Sequence, residues 1–179
     1  MRLKCIYFLG LTVLALSFRP SSRAQESPDR KAHAMVPAAP TTGLRAEFLE
    51  EIAYYEQRYM RLAEAMPAEK YTWRPAEGVR SVGEVFTGLS GDKPKVLQAM
   101  KDSFAHFRNA IVALNDADAD KPQKMFNRQT TLRGSFLMIT GHFGEHLGQS
   151  IAYARMKGIV PPWTEEAQPQ QKPAEKPKP

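Results

Sequence analysis

The chain has 179 residues, a formal net charge of +6, 42% hydrophobic side chains, 14 prolines, 11 glycines and a single cysteine. That length amounts to one domain, with or without tails. A lone cysteine excludes an intramolecular disulfide, and because it stands at position 5, a cleaved leader would take thiolate metal ligation and cysteine nucleophiles with it.

Residues 1–24 carry Arg2 and Lys4, then an apolar run over 5–18, then Ser22-Arg23-Ala24, the charged, apolar and small-residue parts of a secretory signal. Cleavage is expected after Ala24, giving a periplasmic or secreted product. The run is shorter than the roughly 20 residues a spanning helix needs, so no membrane span is expected after cleavage. Cys5 precedes the run, whereas the modified cysteine of a lipoprotein would follow it. Arg2, Lys4, Arg19 and Arg23 leave with the signal, which lowers the charge from +6 to +2. Part of what remains sits in a Pro/Lys-rich tail, expected to be disordered over 164–179, with Lys172, Lys176 and Lys178 set against Glu175 in its last stretch. The domain between is therefore near neutral and has no basic footprint for nucleic acid.

Residues 25–42 are rich in Pro, Ala, Ser and charge, without apolar period, and read as a flexible spacer. The domain is expected over 43–163. In its first helix, Phe48, Ile52, Tyr55, Tyr59, Leu62 and Met66 recur at steps of four and three, and Pro67 ends the run. A connection follows in which Tyr71 and Trp73 read as packing groups. Ser81-Val82-Gly83-Glu84 then forms a capping box that opens a second helix of about two turns, cut short by Ser90, Gly91, Asp92 and Pro94. The third helix is expected over 93–114 on Val96, Met100, Phe104, Phe107, Ile111 and Leu114, with Pro94 in its first turn.

The polar segment 115–130 holds Asp116, Asp118 and Asp120 at calcium-loop spacing, but Lys121 stands where that loop needs glycine and Asn127 where it needs glutamate. These aspartates are expected in a solvated loop, and no alternating strand pattern is seen. Thr131 is a suitable N-cap for a fourth helix over 131–156, with stripe Leu132, Phe136, Ile139, Phe143, Leu147 and Ala154. Three long helices and one short one, each with a narrow apolar face, predict an all-α fold, a small four-helix bundle with a shortened second helix.

Position separates the four histidines. His33 lies in the spacer, and His106 sits off the apolar face of the third helix. His142 and His146, four residues apart, project side by side on the shoulder of the fourth helix's stripe. Two neutral imidazoles so placed can chelate one divalent ion if a third ligand converges, with Glu145 and Gln149 as orienting groups. His142-Phe143-Gly144-Glu145-His146 also fits the zinc-protease pattern H-x-x-E-H, for which only Glu165, Glu166 and Glu175 remain downstream as a third ligand.

Three stretches carry a wider resemblance: Tyr71-Thr72-Trp73-Arg74-Pro75, Ser81-Val82-Gly83-Glu84-Val85-Phe86, and His142-Phe143-Gly144-Glu145-His146-Leu147-Gly148-Gln149. With the helix order, they resemble the DinB-like family of metal-binding four-helix bundles over roughly residues 46–163. The resemblance implies a divalent ion, often nickel or zinc, held by one histidine from helix two and two from helix four, with open positions for water or substrate. Some members are metal-dependent thiol transferases or isomerases.

By position, His142 and His146 match the helix-four pair, whereas the helix-two histidine position is Gly88. A facial three-nitrogen site reduced to two imidazoles loses affinity and the geometry that polarises a bound water. Glycine itself is expected to add nothing at 88 beyond weaker helix propensity. The expectation is an exported bundle with a weak or degenerate metal site at His142 and His146, with no assigned reaction, substrate or catalytic residue. Two alternatives stand beside it: an active metal-dependent transferase or hydrolase with a substitute third ligand, and a non-catalytic interaction bundle. The resemblance also implies a homodimer, which no apolar stripe in the sequence requires.

Overall fold

A computed structural model describes residues 38–88 and 91–167, together with the backbone of a short antiparallel strand pair, β1 (Tyr7–Phe8) and β2 (Leu11–Thr12). The rest of the expected leader, the spacer before residue 38 with His33, and the chain after 167 lie outside the described residues. Helix dominates the remainder: α1 (Leu44–Ala65), α2 (Val82–Thr87), α3 (Lys93–Val112), α4 (Leu132–Met156) and α5 (Pro162–Ala167). The all-α class expected from the sequence is what the chain adopts. Among the described residues, no helix is long and apolar enough to cross a membrane.

The helices begin and end for local reasons. Met66 takes an extended backbone ahead of Pro67 and closes α1, since proline disfavours helical conformation in the residue before it. Asp92 caps α3 by accepting from the Lys95 N–H at 3.1 Å, and Thr131 caps α4 by accepting from the Gly134 N–H at 3.1 Å. The stripes then bury against one another: Phe48, Ile52, Tyr59, Leu62 and Met66 of α1 and its end meet Val96, Met100, Phe104 and Ile111 of α3 and Phe136, Ile139, Phe143 and Leu147 of α4. Each such side chain contributes roughly 1.5–3 kcal/mol on burial. Aromatic rings knit the middle, with Phe104 stacked on Phe143 at 5.8 Å and Phe48 on Phe136 at 3.9 Å.

α1 and α3 cap each other. Lys93, first residue of α3, donates through Nζ to the Glu64 and Met66 carbonyls at 2.6 and 2.9 Å, where α1 ends. Arg45, near the start of α1, donates to the Val112 and Leu114 carbonyls at 2.9 and 2.7 Å, where α3 ends. Cations at C-terminal carbonyls satisfy orphan acceptors and the helix dipole together. Asp116 completes the second clamp by accepting from Arg45 N–H and Nε–H at 2.9 and 3.2 Å. A side chain at Gly43 would bring its Cβ to 2.9 Å from the Asp116 carboxylate, so this approach requires glycine.

Three expectations are corrected. First, segment 115–130 is not a plain loop: β3 (Pro122–Met125) and β4 (Arg128–Thr131) form an antiparallel hairpin with Met125 opposite Arg128. Its two turn residues, Phe126 and Asn127, both have positive φ, 47° and 63°, the requirement of the primed turns that match strand twist. Second, the aspartates are engaged rather than merely solvated, Asp116 with Arg45, Asp118 with Lys121 and Asp120 with Arg133. Third, Pro162 starts α5, so the expected tail boundary at 164 falls inside a helix. Arg61 of α1 pairs with Glu166 of α5, and the Arg58 guanidinium lies 4.5 Å from the Tyr54 ring and 4.7 Å from the Trp163 ring.

Candidate metal centre

The capping box at the start of α2 forms as expected. The Ser81 hydroxyl accepts from the Glu84 N–H at 3.4 Å, and the Ser81 N–H donates to the Glu84 carboxylate at 2.7 Å. That backbone donor is the main reason the Glu84 carboxyl titrates below its usual range, with the Ser81 side chain, Arg74 and Arg80 acting in the same direction. After Thr87 the helix stops at Gly88, which sits in the left-handed region at φ 71° and ψ 1° and donates its N–H to the Glu84 carbonyl at 2.8 Å. Gly88 is therefore the C-cap that ends α2, since a residue with a Cβ is disfavoured in this conformation. Gly88 also lines an open depression of about 190 Å³ with Arg74, Gly78, Val79, Arg80 and Glu84.

On α4, the rings of His142 and His146 meet edge to face, with centroids 4.5 Å apart and planes at 86°. His142 is about one-fifth exposed, its Nδ1 lies 3.8 Å from the exposed Glu145 carboxylate, and the Phe126 ring from the hairpin turn stands 5.6 Å away. His146 is half-buried, and its Nδ1 is fully buried without a hydrogen-bond partner. Burial pushes the His146 pKa down; His142 and Arg80 act the same way, and Gln149 and Glu145 oppose them. The imidazole is thus held neutral, the form in which it can donate a lone pair to an ion.

Neighbours fix this stretch of α4 from two sides. Tyr59 of α1 donates to the Phe143 carbonyl at 2.7 Å, and the Tyr55 ring stacks on Phe143 at 5.5 Å. Gly144 admits the Tyr55 hydroxyl, which would lie 3.3 Å from a Cβ there. On the other side, Gln149 Nε2 donates to the Tyr153 hydroxyl at 3.3 Å, and that hydroxyl donates to the Arg80 carbonyl at 3.1 Å. Trp73 packs edge-on against Tyr153 at 5.6 Å with the Lys157 ammonium 4.0 Å from its ring centroid, and Tyr71 donates from the core to the Ala63 carbonyl at 2.7 Å. Both aromatics of the connection are packing groups, as their sequence position led us to expect.

The structure brings His142 and His146 together and leaves His106 exposed on α3. Among the described residues, no three His, Cys, Asp or Glu side chains converge as a metal-holding set. Glu166, one of the three candidate distal ligands, is held by Arg61 on α1. To a divalent ion this place offers two protein donors at most, the His142 ring and the His146 Nδ1, of which the latter is buried without a hydrogen-bond partner. An ion held there by His142 and His146 would supply Lewis acidity to whatever filled its open positions.

Sequence reasoning missed Phe126 and Tyr153. Tyr153 carried a readable signal, since it lies four residues beyond Gln149 on one helix. Phe126 carried none, because it reaches His142 only through a hairpin whose turn contains no glycine. No protein-family model matches the chain, and no curated protein is significantly similar to it.

Proposed function

We propose that this is an exported helical bundle of the DinB-like type that binds a divalent cation, nickel or zinc, weakly through His142 and His146. The supporting observation is the His146 Nδ1 atom, buried and without a hydrogen-bond partner beside the His142 ring. Leaving a buried polar atom unmatched costs about 1–3 kcal/mol, and an ion that accepts its lone pair removes that cost. Low affinity follows from the donor count: two imidazoles lack the third protein ligand that structural and catalytic zinc sites share. The three motif stretches resembling the DinB-like family support the same assignment, with Gly88 at the position of the absent histidine.

Calorimetric titration of zinc and nickel into the protein lacking residues 1–24, beside His146→Ala, tests the reading. Weak binding by the parent that disappears in the variant is expected. Equal binding by both removes the site, and a map of the zinc-loaded protein with a third protein donor would replace it by the transferase or hydrolase reading. Export through cleavage after Ala24 is checked separately by the N-terminal sequence of the secreted product.

A further inference from the structure

The connection that leads into α2 carries charge that the histidine pair does not use. Arg74, Arg80 and Glu84 line the open depression of about 190 Å³, together with Gly78, Val79 and Gly88. Two cations and one carboxylate thus face it, and two of these three charges are spent on each other. Arg74 donates to the Val79 carbonyl at 3.0 Å and to the Glu84 carboxylate at 3.4 Å, and the same carboxylate oxygen accepts from the Ser81 N–H at 2.7 Å. Arg80 is left over. Its side chain is exposed, and among the described residues its guanidinium has no hydrogen-bonded or ion-paired acceptor. The backbone beneath it is nevertheless pinned at three successive residues: the Val79 carbonyl by Arg74, the Arg80 carbonyl by the Tyr153 hydroxyl of α4 at 3.1 Å, and the Ser81 N–H by Glu84. The preceding turn closes where the Val79 N–H donates to the Ala76 carbonyl at 3.3 Å, with Gly78 at φ 75°.

We propose that Arg80 anchors a binding site for a small oxyanion, a carboxylate or a phosphate, seated in this depression. A guanidinium stays charged at any working pH and presents its N–H donors as a planar fork that matches two oxygens of such a group. A lone surface arginine holds an anion weakly, because solvent screening and the ordering of a long side chain offset the attraction. Here the pinned backbone leaves only the side chain to be ordered, which lowers the cost of binding. Glu84 does not repel an anion as a free carboxylate would, since the Ser81 N–H and the Arg74 fork already meet its charge. No histidine lines the depression, so anion binding there is independent of the function proposed above.

Purified protein, stripped of metal on a chelating resin, is titrated with sodium phosphate and separately with sodium acetate, against sodium chloride at matched ionic strength. Nitrogen-resolved NMR follows the arginine Nε–H signals and the backbone amides of Gly78 and Gly88, for the parent, Arg80→Gln and Arg80→Lys. The parent is expected to show saturable shifts at Arg80 and at both glycines, with about millimolar affinity, that chloride does not reproduce. Arg80→Gln removes the charge, keeps the backbone contact with Tyr153, and should weaken both anions about tenfold or more. Arg80→Lys, a point charge without the fork, should fall between the two. Tighter phosphate than acetate assigns a phosphorylated ligand to the site, and the reverse order a carboxylate. Shifts that are absent, that chloride reproduces, or that persist unchanged in Arg80→Gln overturn the site. Far-UV melting should be the same for all three proteins, as expected for an exposed side chain, and if Arg80→Gln melts early the comparison is carried by Arg80→Lys. A stripped protein that binds phosphate through Arg80 and yet fails to bind zinc upholds the anion site and sinks the metal reading alone.

Discussion

The Tyr59 hydroxyl of α1 donates to the Phe143 carbonyl of α4 at 2.7 Å, deep in the core and one residue from His142. Burial and the nearby Tyr55 push its pKa up, so the phenol keeps its proton and remains a donor. Tyr59→Phe preserves the ring contacts to Phe104 and Phe143 and deletes only this bond. We expect a loss of about 0.5–1.5 kcal/mol in urea unfolding, the net worth of one intramolecular hydrogen bond. An unchanged midpoint would mean that the helix-internal bond to the same carbonyl already satisfies it.

Acid should weaken the fold through His146. Its pKa is lowered from an ordinary value of 6.5, chiefly by burial, so the unfolded chain binds more protons than the folded one just below that pH. Stability is then complete above about pH 6.5 and declines as pH falls through the folded pKa. His146→Gln removes this contribution, and its melting temperature should depend less on pH over the same window. Parallel profiles for the two proteins would exclude His146 as the linked group.

Gly88→Ala should cost about 1 kcal/mol, because the left-handed conformation at φ 71° is unfavourable for any residue with a Cβ. Gly88→Asn should cost less, since asparagine visits that region more readily. Gly88→His would place an imidazole at the position the family resemblance points to and yet incur the alanine-like penalty. Chemical denaturation of the three variants ranks them; an alanine variant as stable as the parent would show that the cap tolerates a side chain.

Helix faces and caps were legible because their signals are local. Ser81 with Glu84, Pro94 and Thr131 each mark a helix start within a few residues of chain, and all three starts fall where the sequence places them. The His142 and His146 pairing was legible for the same reason, being one turn of α4. What escaped depends on contacts between distant segments. The hairpin closes on Phe126 and Asn127, which carry none of the usual glycine signature, and its four-residue strands are too short to establish an alternation. The partners of Asp116 and Tyr153 lie 71 and 73 residues away, beyond any periodicity. Gly88 was read through helix propensity, whereas its φ, a property of where α2 must stop, decides its role.

Phe126→Asn should stabilise the hairpin. A bulky residue at φ 47° carries a strain of roughly 1–2 kcal/mol, whereas asparagine tolerates that region. The substitution gives up the contact with His142 at 5.6 Å, worth about 0.5–1.5 kcal/mol at most for an aromatic pair this exposed. Relief of strain wins in that comparison by a fraction of a kcal/mol, visible as a small rise in the thermal midpoint. A fall instead would show that the Phe126 ring secures the turn against α4.

Lys93 and Arg45 act as pins at opposite ends of one helical pair, and their reciprocity limits how the molecule can breathe. Sliding α1 against α3 by a single turn, about 5.4 Å, would pull both cations off their carbonyls at once. Those two helices must therefore travel as a single rigid lever. Any opening that admits solvent to the buried nitrogen of His146 has to come from displacement of α4 or of the brief α2, and amide exchange should register it there first.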